Sequence, residues 1–97
     1  MRISKMIKVE DGVKLNYFQR RRIVDKNTCI QKVYLVCTSP CSNWLFEIIY
    51  SEDLSSRYNE SYLVAVAKTR KQAVLQVEDL IDRIYNKKEL KYEQLII

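Results

Sequence analysis

A chain of 97 residues with a single glycine and a single proline has almost nothing suited to positive-φ turns or abrupt breaks. Such a chain must spend most of its length in regular structure, joined by connections of ordinary polar residues. The lone glycine therefore marks the one tight turn that residue type specifies. It follows Asp11, and Asp11-Gly12 separates two short runs, Met6 to Glu10 and Val13 to Phe18. Asp-Gly accepts the backbone conformation a hairpin demands, and Val13, Leu15 and Tyr17 alternate with Lys14 and Asn16. The alternation favours a β-hairpin; a helix from Val13 to Asp25, with Leu15, Phe18 and Ile23 on one face, is the alternative.

The next segments are richer in β-formers. "CIQKVYLVC" places Val33, Leu35 and Cys37 on one face. "TSPCSN" reads as a loop built on Ser39-Pro40. In "WLFEIIY" the row Trp44, Phe46, Ile48 and Tyr50 shares a side, as core or as an open binding surface. "SYLVAVAK" is a further strand, whose Ala65 and Ala67 share a face with Leu63 and let a helix lie close. Three strands in succession suggest an antiparallel meander.

A helix follows from Arg70 to Asn86. Ala73, Val77, Leu80, Ile81 and Ile84 recur at helical spacing with Val74 beside them, and Lys71, Glu78, Asp79 and Asp82 oppose them. The tail "ELKYEQLII" is a final edge strand or a second helix, its apolar end tucked in. The fold class expected is α+β: an antiparallel sheet of three to five strands with one C-terminal amphipathic helix packed on one face. A hydrophobic fraction of 47% suffices for one core, so residues 1–97 read as a single domain.

Several function classes lose ground on composition. Apolar runs such as "LVAVA" fall far short of the roughly 20 residues a membrane helix requires. The opening residues lack the apolar stretch of a signal peptide, so a cytoplasmic protein without a membrane partner is expected. The chain has no histidine, no glycine-rich phosphate loop and no nucleophile elbow, which argues against an enzyme. Cys29, Cys37 and Cys41 read foremost as free thiols. A Cys37–Cys41 disulfide and a metal site are the lesser readings, because a closed zinc site would need a fourth ligand. Asp79 and Asp82 could hold a divalent ion but read first as a solvated face. No metal and no cofactor is expected.

A formal net charge of +5 points instead to an anionic partner. The basic residues form two clusters. One is Arg20, Arg21 and Arg22, flanked by Lys14 and Lys26. The other is Lys68, Arg70 and Lys71 in "AKTRKQA", where Thr69 and Gln72 form a helix-start signal. Cations in a first helical turn face the positive end of the helix, at a cost of up to about 1 kcal/mol each. A phosphate bound there removes that cost and receives free backbone N–H groups.

"KTRKQA", after the strands and opening the helix, resembles the K-S-K-K-E-A signature of double-stranded-RNA-binding domains, over about residues 30–86. The resemblance implies phosphate contacts from Lys68, Arg70 and Lys71, with Ala73 packed on the sheet. The chain departs from the family in having "TSPCS" where a Gly-Pro joins the first two strands, no histidine in that loop, and Ala67 in place of the usual glycine. "LNYFQRRR" would have to supply the family's first helix.

Two functions follow. The first is a small non-enzymatic protein binding nucleic-acid backbone, RNA ahead of DNA, through Lys68, Arg70, Lys71 and Arg20 to Arg22. The second is a protein-binding inhibitor or adaptor, of the sort phages and mobile elements direct at host nucleic-acid enzymes, docking on an acidic protein surface. A homodimer through an open sheet face or edge is compatible with either.

Overall fold

A computed structural model describes residues 1–41 and 44–97; Ser42 and Asn43, within the "TSPCSN" loop, lie outside the described residues. The chain runs β1 (Arg2–Val9), α1 (Tyr17–Lys26), β2 (Tyr34–Thr38), β3 (Phe46–Tyr50), β4 (Tyr62–Ala67), α2 (Arg70–Tyr85) and α3 (Tyr92–Leu95). Two 3-10 turns, Ser51–Asp53 and Ser56–Tyr58, carry it from β3 to β4. The fold is α+β, around a four-stranded sheet ordered β1-β4-β2-β3.

That order corrects the antiparallel meander. β2 is antiparallel to both β3 and β4, but β4 pairs with β2 instead of β3, and β1 runs parallel to β4 on its far side. The sheet is mixed. The expected hairpin at residues 6–18 is also corrected. The turn forms where Asp11-Gly12 places it: Val13 N–H donates to the Glu10 carbonyl at 3.1 Å, and Gly12 has φ 88°. The chain then enters α1 instead of returning along β1. Asn16 accepts the Gln19 N–H through its side chain at 2.9 Å, and the Gln19 side chain accepts the Asn16 N–H at 3.3 Å. This reciprocal cap satisfies two donors that a helix start leaves free. The helix stops at Asn27, whose left-handed φ of 49° lets its N–H reach the Arg22 and Ile23 carbonyls.

Alternation along β4 is broken by a bulge. Val36 faces Ala65 while Cys37 faces Leu63, so Val64 is an extra residue in the ladder. Val64, Ala65 and Ala67 consequently lie on the α2 side, and Leu63 and Val66 on the α1 side. Leu63 does not share the face of Ala65, contrary to the alternation. The small residues act as expected: Ala65, Ala67 and Ala73 are fully buried where α2 crosses the sheet.

Helices cover both faces, not one. On one side Ile23 of α1 packs with Leu35, Cys37, Ile49, Leu63 and Val66, closed over by Val13, Leu15, Cys29 and Leu54. On the other, Ala73, Val77, Leu80 and Ile84 of α2 and Leu95 of α3 meet Val36, Val64, Phe46 and Ile48. Leu35 and Leu63 are wholly buried, and shortening either to alanine would cost about 2–5 kcal/mol. The Phe46-Ile48 row is thus packed against α2 and α3, whereas Trp44 precedes β3 and is exposed. On α2, Ile81 departs from the expected stripe and is partly exposed. Following α2, the helical alternative for the tail holds: Leu95 is buried, while Ile96 and Ile97 stay exposed.

Candidate functional site

The start of α2 is built by its own sequence and by the β1–α1 turn beside it. Thr69 is the N-cap, its hydroxyl accepting the Gln72 N–H at 3.2 Å. Lys68 precedes the cap, and Arg70 and Lys71 are the first two helical residues, whose N–H groups have no acceptor within the helix. All three cations are exposed, and none forms an ion pair among the described residues. One carboxylate does approach: Glu10 accepts the Lys68 backbone N–H at 2.6 Å. It engages the amide and leaves the ammonium unpaired. The Lys68 side chain instead lies over Gly12, where any Cβ would collide with its end. Gly12 thus serves the turn through its positive φ, a backbone conformation that a side chain would strain.

The second basic group sits on α1, on the opposite layer of the sheet, so the structure does not merge the two clusters into one patch. Its arginines are also more engaged. Arg20 is half-buried and donates from Nε to the Leu15 carbonyl at 2.9 Å. Arg21 pairs with Asp25 at 2.9 Å, one helical turn on. Arg22 is exposed and forms no ion pair among the described residues. Beside them Tyr17 and Phe18, 67% and 75% exposed, meet edge to face at 5.7 Å. Phe18, Arg21, Arg22, Asp25 and Lys26 line an open cleft of about 350 Å³. Sequence reasoning missed this aromatic pair as a surface feature, because the hairpin reading dissolved the helix that displays it. The adjacency of "YF" and "QRRR" was the available signal.

A third polar centre lies where β3 begins. Glu47 accepts from Ser39 Oγ at 2.6 Å, from Tyr58 Oη at 3.1 Å and from Arg57 at 3.2 Å. The Ser39 hydroxyl bond, with Tyr58 and Arg57 behind it, holds the Glu47 carboxyl below its ordinary range. Burial pushes the Tyr58 hydroxyl up. The arrangement joins the "TSPC" loop, β3 and the second 3-10 turn, and none of its described side-chain polar atoms is buried without a hydrogen-bond partner. It borders an open cleft of about 330 Å³ with Cys41, Trp44 and Phe46.

All three cysteines are free, and burial drives the Cys37 thiol up to about 12. Among the described residues no group of three or more cysteine and carboxylate side chains is placed to hold a metal ion, and no helix is long and apolar enough to cross a membrane. On α2, Asp79 and Asp82 point to cations of their own chain, Arg83 at 4.0 Å and Lys87 at 3.5 Å.

No family model, no curated protein and no solved structure matches this chain.

Proposed function

We propose that this is a small, non-enzymatic, intracellular module that binds the sugar–phosphate backbone of nucleic acid at the start of α2. The observation that carries the reading is the set of three exposed cations around a capped helix start, unpaired among the described residues. Each cation there costs up to about 1 kcal/mol while the site is empty, and an anion reverses the sign. Phosphate oxygens would take the free Arg70 and Lys71 N–H groups together with the side chains. Thr69 holds the turn, so the ligand meets a preformed surface. The likeness of "KTRKQA" to the helix starts of double-stranded-RNA-binding domains supports RNA ahead of DNA. Arg20 to Arg22 would add a separate, weaker contact from α1.

Fluorescence anisotropy with a labelled RNA duplex tests this. Replacing Lys68, Arg70 and Lys71 by alanine should weaken binding by about 100-fold near 0.15 M salt, three phosphate contacts being lost. The circular dichroism spectrum should not change. Undiminished affinity in the triple variant rules the site out.

A second reading, a protein-binding inhibitor or adaptor for an acidic surface, draws on Trp44. That indole is 69% exposed and borders a cleft with the Arg57 guanidinium. Exposed tryptophan and arginine are the residue types that anchor protein interfaces. A pull-down that retrieves one protein at fixed stoichiometry after nuclease treatment would favour it over the first.

A further inference from the structure

The two edges of the sheet are treated differently. β1 carries Lys5 and Lys8, and its register against β4 breaks between Ile3 and Lys8. Within that break Ser4 Oγ accepts the Met6 N–H at 3.1 Å, and Lys5 N–H donates to the Ile97 carbonyl at 3.3 Å. Charges, irregularity and a covering segment are the devices that stop an edge from recruiting another strand. The opposite edge, β3, has no break in its pairing and, among the described residues, no backbone partner on its outer side, and Glu47 is its single charge. Its sequence "FEIIY" contains no lysine, arginine or proline, and its pairing with β2 is unbroken from Tyr34↔Tyr50 to Thr38↔Phe46.

The hydrogen-bond parity of β3 follows from its two ends. Ser39 N–H donates to the Leu45 carbonyl at 3.0 Å, and Ser51 N–H to the Val33 carbonyl at 2.9 Å. Bonded pairs alternate in an antiparallel ladder, so residues 45, 47, 49 and 51 turn their backbones to β2. Phe46, Ile48 and Tyr50 turn theirs outward, and among the described residues no partner meets them.

We infer that this edge pairs with the same strand of a second copy, antiparallel, about a two-fold axis through Ile48. Outward backbone groups must bond to outward backbone groups. Only one register joins all three: Ile48 to Ile48 of the second copy, and Phe46 to Tyr50 in both directions. That register also sets aromatic rings opposite one another. It puts the strand's single charge, Glu47, opposite Ile49, whereas shifting by two residues brings Glu47 against its own copy or leaves an outward residue unpaired. Like charges directly opposed are destabilising and aromatic pairs are favourable. The strand therefore complements itself in backbone parity, charge and side-chain type, which identifies a second copy of this chain as the occupant. A five-residue pairing is small, so the dimer is weak, in the micromolar range.

The test is sedimentation equilibrium over a concentration series, with amide hydrogen exchange read at Phe46, Ile48 and Tyr50. Dimer should accumulate with concentration, and those three amides should gain protection in parallel. Tyr50 has φ −73°, which proline accepts without strain, and an outward N–H can be given up without loss to the monomer. Tyr50→Pro should abolish the dimer and preserve the monomer fold, while Tyr50→Ala, which removes the same ring but keeps the N–H, should still dimerise. A monomer at every concentration up to several hundred micromolar overturns the inference and leaves the edge to a foreign strand. A dimer that survives Tyr50→Pro overturns it equally. Neither result bears on nucleic-acid binding at α2.

Discussion

The helices α1 and α2 both open on a side-chain cap and both carry clustered cations, yet the two clusters are in different states. On α1, Arg20 is committed to the Leu15 carbonyl and Arg21 to Asp25. At the start of α2, Lys68, Arg70 and Lys71 have no such commitments among the described residues, and they crowd the positive end of the helix. The lesson is that counting basic residues separates nothing. What separates the clusters is whether the fold has already satisfied the charge, since a paired arginine must surrender its partner before it can hold a phosphate.

The largest effect that could break this comparison is a contrast of double variants. Arg70→Ala with Lys71→Ala should weaken binding to an RNA duplex more than tenfold, and Arg21→Ala with Arg22→Ala less than threefold, measured by anisotropy under one salt condition. The reverse ranking would transfer the site to α1 and its exposed Tyr17 and Phe18. Next in size is the pair of caps. Asn16→Ala and Thr69→Ala should each cost about 1 kcal/mol. For a domain of this size that lowers the melting temperature by roughly 4–8 °C. Only the Thr69 variant should also lose affinity, because only there does the cap position the binding turn. Smallest is Glu10→Gln, which removes the one carboxylate set against the Lys68 amide. Affinity should rise a few-fold, seen as a lower dissociation constant, with no comparable gain from Asp25→Asn on α1.

Legibility in the sequence followed the range of the interactions. α2 could be read because its apolar stripe and the Thr69–Gln72 signal lie within the helix itself. The position of Lys68, Arg70 and Lys71 around the start of that helix was read with it. α1 was obscured because it buries Ile23 alone and exposes Tyr17, Phe18 and Val24, so its helical period is faint beside the Val13-Leu15-Tyr17 alternation. The Asn16–Gln19 cap was the stronger local cue. The bulge at Val64 could not be read, since alternation carries no mark of an inserted residue. Nor could the pairing of β1 with β4, a contact between opposite ends of the chain. That pairing brings Glu10 to Lys68, so the carboxylate that bonds to the candidate site's backbone came from a segment no local pattern connects to it.

The central claim is that the α2 turn exchanges counterions for phosphates. The direct measurement is the slope of the logarithm of the RNA binding constant against the logarithm of salt concentration, for the wild type and for the variant with alanine at Lys68, Arg70 and Lys71. The wild-type slope should be steeper by about 2–3, from three phosphate contacts. Equal slopes would contradict the account.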